Sequence, residues 1–110
     1  MIELMWPDKR LNPNARVHRM ELARVKKTAR HAAWGMTMAT KGVAPTDKVR
    51  LTFHAPDSRH RDADNMLASM KSALDGVFDA LDVDDKTVRE ITIVRAEPEK
   101  PNGRVVLEFV

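Results

Sequence analysis

The chain has 110 residues, 43% hydrophobic and 32% charged, with no cysteine. That length gives one domain spanning residues 1–110 with a modest core, and the composition excludes a disordered chain. The missing cysteine excludes disulfides and thiolate metal sites. No apolar run approaches the roughly 18 residues a membrane span needs, and "MIELMWPDKR" has no signal-peptide core, so a cytoplasmic protein without membrane partners is expected. A net charge of +3 hides an asymmetry: residues 1–61 hold 13 Lys and Arg against 5 Asp and Glu, and residues 62–110 hold 6 against 11. All four histidines also lie in the basic part. Such a division suggests a polyanion-facing surface beside an acidic cluster, or two solvated faces of opposite sign.

In chain order, "IELMW" is a short strand closed by Pro7, and "PDKRLNPN" is a loop rich in proline and asparagine. From about Arg16 to Thr40, Leu22, Val25, Ala29, Ala33 and Met36 recur at helical steps, opposite Arg19, Lys26, Lys27 and Arg30. "KGVAPTD" breaks this helix, and "KVRLTFHA" alternates as a half-buried strand. A second helix follows, with an apolar stripe of Met66, Leu67, Met70, Ala73, Leu74, Val77, Phe78 and Leu81. "TVREITIVRAE" and "RVVLEFV" are strands, and Pro-Asn-Gly between them signals a hairpin turn. The expected order is β-α-β-α-β-β: an α+β domain with a small mixed sheet backed by two helices.

The chemistry concentrates in "RHRDADNM", residues 59–66. One aspartate there could cap the second helix. Two carboxylates at i and i+2 in extended backbone point to the same side and repel unless a cation lies between them. Hard oxygen ligands of this kind suit magnesium or manganese. A third acid is available in Asp82, Asp84 and Asp85, whose segment fails as an EF-hand loop because Lys86 and Thr87 stand at its fifth and sixth places. Otherwise these acids form a solvated turn.

The stretch "RHRDADNMLASMKSALDGV…VDDKTV" resembles the RusA family of Holliday junction resolvases from bacteria and phages. That family shows R-x-D-x-D-N opening a helix, a lysine within it and a D-D pair before the next strand. "MWPDKRLNPNARVH" is similar to the family's opening segment, so the resemblance runs over nearly the whole chain. It implies a Mg2+-dependent endodeoxyribonuclease, with Mn2+ as substitute, that resolves branched DNA by paired symmetric nicks in the bacterial cytoplasm or a phage-infected host. It needs no organic cofactor. The implied metal ligands are Asp62, Asp64 and Asp85, with Arg61 placed to meet phosphate. The family's lysine follows D-N by three residues, where Ala68 stands here; Lys71, about one turn on, is the candidate replacement. Arg59 and His60 are candidate phosphate contacts. Lys9, Arg10, Arg16, Arg19, Lys26, Lys27 and Arg30 would give sequence-independent backbone binding. Trp6 would stack on a base or pack inside. A non-catalytic branched-DNA binder with the same fold is the alternative, favoured by the displaced lysine.

One distance constrains this reading. An unbroken helix from Asn65 to Leu81 is roughly 25 Å long, and four residues beyond it reach at most about 14 Å. Asp85 then cannot return to Asp62 and Asp64 of its own subunit. Either the helix stops at Asp75-Gly76, or Asp85 completes the site of a partner in a homodimer. The continuous apolar stripe favours the partner, and two symmetric nicks also call for a two-fold homodimer.

Overall fold

The structure, a computed structural model, describes all 110 residues. Strand β1 (Ile2–Met5) leads through a 3-10 turn (Lys9–Leu11) to helix α1 (Arg19–Met38) and strand β2 (Lys48–His54). Two helical segments follow, α2 (Ala63–Ser69) and α3 (Lys71–Leu81), then a second 3-10 turn (Asp85–Thr87) and strands β3 (Glu90–Arg95) and β4 (Arg104–Phe109). It is a single α+β domain with one four-stranded mixed sheet.

The strands lie in the order β1-β4-β2-β3. β4 runs antiparallel to both β1 and β2, and β3 runs parallel to β2. The expected hairpin between the last two strands is therefore absent: β2 separates them. Period-two alternation and a Pro-Asn-Gly turn report that two strands exist, not which strand each one pairs with. Gly103 does adopt the left-handed conformation (φ +68°), but its turn carries the chain across the end of β2.

Alternation puts Ile2, Leu4, Val49, Leu51, Phe53, Val105 and Leu107 on one sheet face. There they form the core with Ala33 of α1, Met66 of α2, Val77 and Phe78 of α3, and Met70 between the two last helices. The other face carries Glu3, Arg50, Thr52, Arg104 and Glu108, and Val106 is its one buried side chain. Met36, expected on the buried stripe of α1, is 40% exposed, and Thr37 is buried in its place, its hydroxyl donating to the Ala33 carbonyl.

The second helix is not one unbroken run, and Gly76 does not end it. The interruption falls at Met70, whose N–H bonds the Leu67 carbonyl in a tightened turn, while the Ser69 hydroxyl donates to the Asn65 carbonyl. Hydroxyl back-bonding of this kind bends helices. Ser69 and Met70 are both buried, so the apolar stripe passes through the break without a change of period. Gly76 lies inside α3 where that helix meets α1. A Cβ there would overlap the Arg30 carbonyl oxygen and lie 2.9 Å from its carbon. Glycine is needed for close approach of two backbones, not for termination. Arg30 and Asp79 join the same two helices at 2.6 Å.

β1, β2 and β3 point the same way, with α1 and then α2–α3 as the crossovers between them. Both crossovers descend from the carboxyl ends of the strands to their amino ends. α2 therefore begins at the carboxyl end of the sheet, and the Asp84-Asp85 turn lies at the amino end. The Arg89 N–H donates to the Asp47 carbonyl at the start of β2, which fixes that placement.

Candidate nucleic-acid groove and metal ligands

At the carboxyl ends of β1 and β2 an open groove of about 850 Å³ separates the Trp6–Asn12 segment from the loop that enters α2. Its walls bring together Lys9 and Arg10 with Arg59, His60, Arg61, Asp62 and Asn65, two groups about fifty positions apart in sequence. Only two of its fifteen lining residues are hydrophobic, so it suits a charged, solvated ligand rather than an apolar one.

Asp62 occupies the N-cap position of α2 in extended backbone (ψ 137°), yet its side chain makes no capping bond. Its carboxylate faces the His60 ring at 3.2 Å. The capping role weighed for it is thus not the one it plays. Asp64 lies in the first turn of α2, exposed and outside the groove lining. Because the helix starts at Ala63, the two aspartates do not share one extended stretch, and the same-side argument for i and i+2 does not apply.

Asp85 lies at the other end of the sheet, away from Asp62 and Asp64 by about the length of β2, roughly 20 Å at 3.3 Å per residue. Within one protomer no three carboxylate or imidazole groups converge on a point where they could hold a metal. The donor chemistry at the start of α2, hard carboxylate oxygens without sulfur, is of the kind that magnesium or manganese takes.

The cations divide into engaged and free groups. Lys71 opens α3 and pairs with Asp75 at 2.7 Å. Arg30 is held by Asp79, and Arg10 by Asp8 (2.9 Å) and Glu21 (2.8 Å). The Arg10 hydrogen bonds hold the Asp8 carboxyl at about 2. Lys9, Arg16, Arg19, Lys26 and Lys27 make no ion pair within the chain and are exposed, as is Arg24, a further cation on α1. Arg59 is 82% exposed.

Arg61 differs from the others, with only 22% of its side chain exposed. Its guanidinium lies 5.3 Å from the centre of the Trp6 ring, and Trp6 packs edge-on against Phe53 at 5.9 Å. Trp6 is thus a packed residue under an arginine. Asp57 takes Arg61 Nη1 at 3.0 Å, and also accepts from the Arg59 N–H (3.0 Å) and Arg59 Nη2 (3.1 Å). The hydrogen bond from Arg61, reinforced by those from Arg59, holds the Asp57 carboxyl well below the usual carboxylate range. Sequence reasoning passes over Asp57 because Pro56-Asp57-Ser58 reads as ordinary turn chemistry. Only the folded loop brings it against both arginines.

No protein-family model matches the chain. It is 36% identical over 115 residues to an uncharacterized protein of Xylella fastidiosa (strain Temecula1), an alignment that covers 96% of this chain and 72% of the relative. The chain belongs to that protein's family. No helix is long and apolar enough to cross a membrane.

Proposed function

We propose that the chain is a RusA-like, magnesium-dependent endonuclease that nicks four-way junctions and related branched DNA in the cytoplasm of a bacterial or phage-infected cell. The observation that supports it best is the polar groove at the carboxyl ends of β1 and β2, where Arg59, His60, Arg61, Asp62 and Asn65 meet Lys9 and Arg10. The basic residues would hold phosphodiester oxygens while the carboxylates hold a cation at the groove's edge.

Asp62, Asp64 and the partner subunit's Asp85 would hold the metal, which supplies an activated water and offsets charge on the scissile phosphate. For such a site to form, two copies must lie side by side with opposed strand directions, the carboxyl end of one sheet against the amino end of the other. A two-fold axis across the strands does this and yields two equivalent sites, as two symmetric nicks require. Within each chain Arg61 would bind the phosphate and offset its developing charge. Arg16, Arg19, Arg24, Lys26 and Lys27 would extend backbone contact along α1. Lys71 would take the family lysine's part only by leaving Asp75.

A non-catalytic branched-DNA binder is the second reading, and two observations favour it: Lys71 is tied to Asp75, and one chain does not assemble three acids. Cleavage of a synthetic four-way junction, in magnesium or EDTA, by wild type and Asp64→Asn separates the two. Paired nicks that need magnesium and vanish in the variant, with junction binding retained, support the nuclease. Tight binding without cutting in magnesium or manganese establishes the binder.

A further inference from the structure

Every hydrogen bond that Arg61 makes within the chain uses one nitrogen, Nη1. It donates to the Asp57 carbonyl at 3.4 Å and the Arg59 carbonyl at 3.2 Å, and it lies 3.0 Å from the Asp57 carboxylate as an ion pair. Nε and Nη2 donate to nothing in the protein. A guanidinium presents a rigid planar fork, and its Nε–Nη2 edge matches two oxygens of a phosphate. An arginine gripped at the opposite corner and laid over an aromatic ring keeps that edge available while losing most of its rotamer freedom. Arg59, by contrast, shares the same carboxylate but is almost fully exposed.

We infer that Asp57 and Trp6 are positioning residues that hold Arg61 by its Nη1 corner, so that its Nε–Nη2 edge receives a phosphodiester in the groove. The inference rests on the groove being the substrate site proposed above. Asp57 is itself an anion lining a groove meant for an anion, so simple electrostatics would have its removal tighten DNA binding. Its value lies in what it does to Arg61. Trp6 carries the force inward: its ring stands on Phe53, which is buried between β4 and β3, so the platform beneath Arg61 is part of the core.

The test uses Asp57→Asn, which keeps an oxygen to accept the Arg59 N–H and so preserves the turn, together with Arg61→Lys and the double variant. Cleavage of the four-way junction in magnesium is expected to fall at least about tenfold in Asp57→Asn alone and less than about twofold further in the Arg61→Lys background, because the two act as one unit. Equal losses in both backgrounds would overturn the inference. Nitrogen-15 relaxation of the arginine side chains gives a readout independent of activity. The Arg61 Nε–H is expected to be ordered in wild type and as mobile as that of Arg59 in Asp57→Asn. An Arg61 already as mobile as Arg59 in wild type also refutes the clamp. If wild type cuts no branched DNA, the nuclease proposal fails and the clamp is judged separately, by relaxation and by affinity for a single-stranded oligonucleotide in EDTA. There Asp57→Asn must weaken binding only when Arg61 is present; tighter binding rejects the clamp.

Discussion

Two glycines on facing helices make a controlled experiment in packing. Gly35 lies in α1 with nothing within 4 Å of a Cβ, whereas the Cβ of an alanine at Gly76 would overlap the Arg30 carbonyl. In both helices Gly→Ala removes backbone freedom from the unfolded chain and adds helix propensity, together about 1 kcal/mol in favour of folding. At position 35 nothing opposes that gain. At position 76 the obstructing atoms are backbone, with no flexible end to swing aside, so α1 and α3 must separate. Overpacking of this kind costs about 3 kcal/mol at the upper end of its range, leaving a net loss of about 2 kcal/mol after the propensity gain. In a domain of this size 1 kcal/mol moves Tm by about 5 °C. Gly35→Ala should therefore raise Tm by a few degrees, and Gly76→Ala should lower it by about 10 °C, measured by calorimetry or far-UV circular dichroism. A Gly76→Ala protein as stable as wild type would refute the close helix contact on which the placement of α2 and the groove depends.

Gly103→Ala should destabilise by about 2 kcal/mol, because φ is +68° and its Cβ would lie 2.7 Å from the His54 carbonyl oxygen and the Pro56 nitrogen; urea titration reads the loss. The Asp8 carboxyl, held at about 2 by hydrogen bonds from Arg10, stabilises the fold above the unfolded carboxylate range near 3.8 and loses that contribution as pH falls through about 2. The Tm difference between wild type and Asp8→Asn should accordingly be constant above about pH 5, shrink as pH falls towards 2 and vanish only below about pH 2. On α1, Lys26→Ala or Lys27→Ala should reduce the slope of log K against log salt for DNA binding by nearly one each, while Arg30→Ala, whose charge is already paired with Asp79, should change it less. Equal slopes for all three variants would show that the Asp79 pair opens on binding.

Local pattern made the elements legible. Ile2 and Leu4, Val49 through Phe53, and Val25 and Ala33 alternate or recur with the period of the structure they form, since burial on one face is what selects those side chains. The cluster at residues 59–65 was equally plain, because charge of both signs in so few positions is visible without a fold. What sequence could not supply was anything set by a neighbour distant along the chain. The partner of β4 is β2 rather than β3, because strand pairing is a matter of the whole sheet and alternation is the same in every register. The bend at Met70 hides inside an unbroken apolar stripe, since both residues at the bend are buried. Gly76 looks like a helix terminator until α1 lies against it. Asp57 becomes more than a turn residue only when its loop folds Arg61 back over Trp6. In each case the deciding contact spans two segments, and only tertiary packing determines which segments meet.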